Sequence, residues 1–137
     1  MLDTNVIIAA MRSPTGASAA LLRRARRREI TPLANVALAL EYEAACRRAE
    51  HMLAASLTAD QVTVFVDSVI AMAEPVESHY LWRPQLRDPA DELVLEAAVN
   101  GQAEAIVTFN KRDFGMAPAS FGLALLTPVE ANRRIRK

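Results

Sequence analysis

Apolar residues in this chain fall into short β-branched or apolar blocks that alternate with longer stretches of helical spacing. Residues 1–8 form an apolar, β-branched run around one acid, Asp3, and predict a first strand. Ser13-Pro14-Thr15-Gly16 breaks the chain before an Ala-, Leu- and Arg-rich helix at about 17–28. Ile30 to Ala34 is a short second strand candidate, and a helix at about 36–49 follows with Asn35 as its N-cap. Thr58-Ala59-Asp60-Gln61 is a capping box that opens a helix to about Ala73, with Val62, Phe65, Val66, Val69 and Ile70 on one face and Pro75 beyond its end. Asp88-Pro89-Ala90-Asp91 places a capping acid, a proline at the first helical position and an acid at the third, before an apolar helix to Asn100-Gly101. Ala105 to Phe109 predicts a strand, Asn110 to Phe114 a turn or short helix, Leu123 to Thr127 a last strand, and Pro128 onward a terminal helix.

Strands alternate with helices throughout, and the runs Val6–Ile8, Ala105–Val107 and Leu123–Leu126 are apolar on both faces. That combination predicts a mainly parallel central sheet covered by helices on both sides, a three-layer α/β/α domain. No repeat, linker or low-complexity segment divides the 137 residues, so residues 1–137 are expected to form one domain.

Composition narrows the setting. Hydrophobic residues make up 52% and charged residues 23%, the balance of a chain that folds rather than of a disordered one. Cys46 is the single cysteine, which excludes an internal disulfide, and no Cys/His cluster has zinc spacing. The opening MLDTNVIIAAM lacks a basic leader and carries Asp3 within its apolar run, and no stretch approaches the ~20 apolar residues of a membrane span. A cytoplasmic protein is the expectation. Sixteen basic and sixteen acidic residues cancel, so any attraction for nucleic acid must be local.

Candidate chemistry lies in the acids. In open parallel sheets the functional crevice lies beyond the carboxyl ends of the strands. A carboxylate inside Leu2-Asp3-Thr4-Asn5-Val6 would face a dry interior, which is costly unless a metal, a cation or several donors compensate it. Otherwise Asp3 starts a turn or accepts neighbouring backbone N–H groups. Glu41 has Ala37, Leu38, Ala44 and Ala45 at i±3 and i±4, so its helix face is small and apolar and the acid faces inward or sits at the core's edge. Glu43, with Arg47 at i+4, is an ordinary solvated pair. Asp91 and Asp113 each stand three residues after a cap residue, Asp88 or Asn110, where acids favour a helix N-terminus. Asp113 also follows the strand Ala105–Phe109 at the sheet edge assigned to Asp3. Glu92 and Glu96 read as a solvated face, and Asp60 and Asp67 as structural.

Four carboxylates on one edge repel one another unless a divalent cation sits among them, and oxygen-only ligands select Mg²⁺ or Mn²⁺. Such ions activate water for in-line attack on a phosphodiester, so no protein nucleophile is needed.

LDTNV at 2–6, LALEYE at 38–43, DPADELVLEAA at 88–98 and TFNKRDF at 108–114 occur in the order and at the separations of the PIN-domain family. The chain resembles that family over nearly its whole length, and within it the toxin components of toxin–antitoxin systems related to VapC. The resemblance places the metal-binding and catalytic acids on Asp3, Glu41, Asp91 and Asp113, supported by Thr4, Asn5, Thr108 and Asn110. It implies Mg²⁺- or Mn²⁺-dependent cleavage of RNA to 5′-phosphate and 3′-hydroxyl ends, a small cognate antitoxin as partner, and a homodimer. One departure is that only Met1 and Leu2 precede Asp3, where the family has several apolar residues, so the first strand looks clipped.

Arg supplies fourteen of the sixteen positive charges, and Arg23, Arg24, Arg27 and Arg28 form adjacent stripes on the 17–28 helix. They read as an RNA or partner contact, or as a solvated outer face. Arg133, Arg134, Arg136 and Lys137 give a weaker basic tail. His51 and His79 read as surface residues and Trp82 as a packing residue rather than a base-stacking one. Two rival functions remain. Phosphatase chemistry of the haloacid-dehalogenase type expects an acid two residues after Asp3, where this chain has Asn5. A catalytically silent PIN-like module that binds RNA or protein is disfavoured by the retention of all four acids.

Overall fold

The computed structural model describes residues 1–77 and 86–135; His79, Trp82, Arg136 and Lys137 lie outside them. The chain enters as a strand for only two residues. Leu2 bridges Val107 in parallel register, the Met1 ammonium donates to Ala105 O at 3.0 Å, Val107 N donates to Met1 O at 2.9 Å, and Asp3 N donates to Val107 O at 2.9 Å. Asp3 then ends the strand and caps a helix, its Oδ1 accepting from Thr4 N at 2.8 Å.

Helix α1 runs Thr4–Arg12, where a strand was expected as far as residue 8. The β-branched Val6, Ile7 and Ile8 favour a strand locally, but their helix penalty is only a few tenths of a kcal/mol each and tertiary packing overrides it. Val6, Ile7, Ala10 and Met11 recur at i, i+1, i+4 and i+5, and all are buried where α1 packs on α2 (Ala17–Arg26) and α3 (Val36–Cys46). A strand over these residues would have turned half of them to the other face.

The other expected elements follow in order with shorter strands, and a strand at Glu74–Pro75 and a helix at Ala117–Ser120 are additions that the sequence did not predict. β1 (Leu33–Ala34) pairs in parallel with β2 (Glu74–Pro75), and β3 (Ala105–Val107) in parallel with β4 (Ala124–Leu126). Between them come α4 (Ala49–Ala55), α5 (Ala59–Met72) and α6 (Pro89–Asn100), then α7 (Lys111–Phe114) and α8 (Ala117–Ser120), and last α9 (Pro128–Ile135). The helix expected over 36–49 ends early, at Cys46, and a further helix not expected from the sequence, α4, begins at Ala49. Pro75 does not merely end a helix: with no N–H to donate, it sits in the short edge strand β2, opposite Ala34. The caps match the sequence. Asn35 Oδ1 accepts from Leu38 N at 2.7 Å, Thr58 and Gln61 form a reciprocal capping box, and Asp88 Oδ1 accepts from Ala90 N at 2.8 Å ahead of Pro89 at N1.

The described strands form two separate parallel pairs, with the Leu2–Val107 bridge beside β3, rather than one continuous central sheet, and with the surrounding helices they fit a three-layer α/β/α architecture. The buried core joins Leu2, Ile7, Leu21, Leu38, Val62, Val94, Leu95, Ile106 and Phe114. Among the described residues no single helix is long and apolar enough to cross a membrane.

The outer edge of the two-residue strand needs a partner. Leu2 O points away from β3, and the buried Tyr42 hydroxyl of α3 donates to it. Burial pushes the Tyr42 phenol well above its usual range, with Asp3 nearby adding to the shift, so the hydroxyl stays a donor at all working pH. Tyr42→Phe removes this bond and strands a buried carbonyl. It should lower unfolding free energy in urea by about 1–3 kcal/mol, and a wild-type denaturation midpoint would contradict that role.

Candidate active site

One hydroxyl organises the carboxyl end of β3. Thr108, fully buried immediately after the strand, donates its Oγ1 proton to Asp3 Oδ2 at 2.6 Å. The same oxygen accepts from Asn110 N at 3.0 Å and from Asn5 Nδ2 at 3.3 Å. A hydroxyl has one donor and two acceptor sites, so all are used. Asn5 Oδ1 in turn accepts from Phe109 N at 3.4 Å. Of the supporting groups named from sequence, Asn5, Thr108 and the Asn110 backbone thus lock the start of α1 to the loop after β3. Thr4 Oγ1 differs, for it is buried with no hydrogen-bond partner among the described residues.

Asp3 is 5% exposed. Burial holds its carboxyl above the ordinary carboxylate range; the bonds from Thr108 and Thr4 pull the other way, and the charges of Asp113 and Asp88 push it further up. Asp91, at the third position of α6, is pushed up to about 6, by partial burial first and then by Asp3, Asp88 and Asp113. Asp113 is exposed at the third position of α7, as the sequence placed it. Asp88, Asp91 and Asp113 line one groove of about 530 Å³ between the start of α6 and the α7–α8 segment. The structure therefore brings Asp3, Asp91 and Asp113 into one electrostatic group and adds Asp88, which the sequence had presented only as a cap.

Glu41 is less tightly included. It is half-buried on α3 beside Tyr42, with no described side-chain partner, and it is not among the charges that shift Asp3 or Asp91. Among the described residues no three His, Cys, Asp or Glu side chains are gathered closely enough to hold a metal ion. A hard divalent ion still fits the donor set. The acids are oxygen-only, they repel one another without a compensating cation, and an orphaned hydroxyl, Thr4 Oγ1, adjoins Asp3. Mg²⁺ in particular keeps several waters and takes one or two carboxylates, so it does not need three in direct contact.

The arginine stripe is largely engaged within the chain. Arg23 Nη1 donates to Pro14 O at 2.8 Å, Arg24 Nε to Asn132 Oδ1 at 3.0 Å, and Glu29 takes Arg24 at 3.1 Å and Arg27 at 2.6 Å. Arg28 lies past the end of α2 with φ of 62°. Glu92 is not a solvated residue: its Oε2 accepts from Leu86 N at 2.9 Å. His51 is packed rather than exposed, its side chain 13% accessible and in contact with Arg12 of α1. Glu43 pairs with Arg47 at 3.4 Å as the spacing predicted.

The raised Asp91 carboxyl has a consequence for stability. An acid whose folded pKa is about 6 and whose unfolded pKa is about 3.9 destabilises the fold above pH 6, and the penalty fades as pH falls toward 4. The Met1 ammonium, held down to about 6 by burial, acts oppositely between about pH 6 and 8, a range the pH 7.5 measurement also samples, so the test is a difference between variants. In EDTA, Asp91→Asn should be more stable than wild type at pH 7.5, and the advantage should shrink by about pH 5. Urea titrations at the two pH values measure it, and an advantage independent of pH would refute the assignment.

The model of the PIN domain matches residues 1–112, a span that holds Asp3, Glu41, Asp91 and Thr108. No curated protein and no solved structure matches the chain. The chain therefore belongs to the PIN-domain family, a three-layer α/β/α fold of the nuclease type.

Proposed function

We propose that this chain is an Mg²⁺- or Mn²⁺-dependent endoribonuclease that hydrolyses RNA phosphodiester bonds, and the VapC-like toxin component of a type II toxin–antitoxin system. The observation that carries the reading is the elevated Asp91 carboxyl in a groove shared with Asp88 and Asp113 and coupled to buried Asp3. Carboxylates held in mutual repulsion at a strand end are preorganised for a cation. Asp3, Asp91 and Asp113 would hold the ion, with Glu41 reaching from α3. When bound, such an ion supplies positive charge against the phosphodiester and lowers the pKa of an attacking water. Thr108 fixes the Asp3 carboxylate in one orientation, so that its lone pairs need no reorganisation.

Partners are a cognate small antitoxin and a second copy of the chain. Support for a protein partner comes from α3, where Val36 is 77% and Leu40 62% exposed one turn apart. A second reading, a catalytically silent PIN-like module that binds RNA or protein, is favoured by the lack of three gathered acids among the described residues.

Asp3→Asn and Asp67→Asn separate these readings. The first replacement keeps the size of the side chain but not its charge, whereas Asp67 is exposed on α5, away from the groove. With purified protein, RNA and titrated Mg²⁺ or Mn²⁺, Asp3→Asn should cut cleavage by roughly 100-fold or more, and Asp67→Asn should leave it near wild type. Cleavage undiminished by Asp3→Asn defeats the metal-site assignment, and a wild-type protein that binds RNA without cutting it establishes the silent module.

A further inference from the structure

The groove that holds Asp88, Asp91 and Asp113 is lined by two arginines as well, Arg87 from the turn before α6 and Arg112 from α7. Both are exposed, and neither makes a hydrogen bond or ion pair with any described residue. That is unexpected beside three carboxylates, since a guanidinium takes a carboxylate in a bidentate pair wherever geometry allows. The neighbouring cation behaves differently. Lys111 is bound to Glu130 Oε1 at 2.8 Å, which pulls the Glu130 carboxyl down to about 2 and ties α7 to α9. Of the two cations in Lys111-Arg112, one holds the fold and the other is left over. The basic stripe on α2 differs too, because Arg23, Arg24 and Arg27 are already bound within the chain.

We propose that Arg87 and Arg112 are positioning residues that grip the RNA phosphates flanking the scissile one, laying the sugar–phosphate chain along this groove. The proposal rests on the nuclease reading and names where its substrate lies. Two guanidinium groups kept clear of the carboxylates leave the acids free for a cation and offer their own donors to a different anion. Phosphate oxygens match the planar fork of arginine. Met116, 80% exposed at the α8 end of the groove, adds an apolar surface for a ribose or base. Gly115 has φ of 53° and ψ of −132° with open space where a Cβ would stand, so the chain turns from α7 into α8 without a side chain intruding on the groove.

The test is steady-state cleavage of a single-stranded RNA, with Mn²⁺ and again with Mg²⁺, by wild type, Arg87→Ala, Arg112→Ala, Arg112→Lys and, as a control, Arg26→Ala, which removes an exposed α2 arginine outside the groove. All the replaced side chains are exposed, so melting temperatures should match wild type. Each groove alanine variant should raise KM about tenfold with kcat nearly unchanged, and should lower the slope of log kcat/KM against log salt by about 0.7. The Mn²⁺ concentration for half-maximal rate should not move. Arg112→Lys should keep the salt slope while losing part of the affinity, because it keeps the charge but not the fork. If wild type cleaves RNA while both alanine variants keep its KM and salt slope, the groove assignment is overturned and the nuclease stands. If wild type cleaves no RNA in either metal, the nuclease reading is overturned, and this assignment with it.

Discussion

Thr108 Oγ1 to Asp3 Oδ2 is the contact on which the rest of the molecule turns. Asp3 occupies the single residue at which the chain changes from strand to helix, and a buried carboxylate there is tolerable only with donors on both oxygens. Thr4 N supplies one and Thr108 the other. The same Thr108 oxygen collects Asn5 and the Asn110 backbone, so the N-terminus of α1, the end of β3 and the entry to α7 form one unit. Asp113 follows three residues later and Asp91 arrives on α6, which packs against β3 and α3.

Those bonds reduce the cost of burying Asp3 but do not cancel it, since its carboxyl and that of Asp91 both stay above the ordinary range. The strain is electrostatic, and it lies at the carboxyl end of β3. A protein selected for stability alone would replace one of these acids. Retaining them is sensible if a divalent cation belongs among them, and the stability lost in the metal-free state is then returned by binding.

Much of this was legible in the sequence because caps and spacing act locally. Asn35, the Thr58 box and Asp88-Pro89 each fixed a helix start, and the acid-bearing motifs carried the resemblance to the family whose model matches residues 1–112. What escaped was decided at a distance. Val6-Ile7-Ile8 has strand propensity, yet residues 4–12 are helical because Asp3 caps the helix start and the buried face packs on α2 and α3. Glu92 had an i+4 neighbour of like sign and read as solvated, but it reaches back to Leu86 N, a partner six residues away that no periodicity reveals. Arg24 and Arg27 formed a visible stripe, and only the fold shows that Glu29 and Asn132 occupy them. For Arg112 the signal was present in Lys111-Arg112-Asp113 and could not be read without knowing that Glu130 takes the lysine.

The central claim, that the aspartates form one field built for a cation, is tested most directly by following their side-chain carboxyl carbons by NMR. Aspartate-labelled protein would be titrated with acid in EDTA and again in saturating Mg²⁺. The account predicts that Asp91 titrates near 6 without metal and falls by more than one unit with it, the Asp3 carboxyl falling in the same titration. Aspartate carboxyls that titrate independently near their ordinary value, unmoved by Mg²⁺ and Mn²⁺, would contradict it.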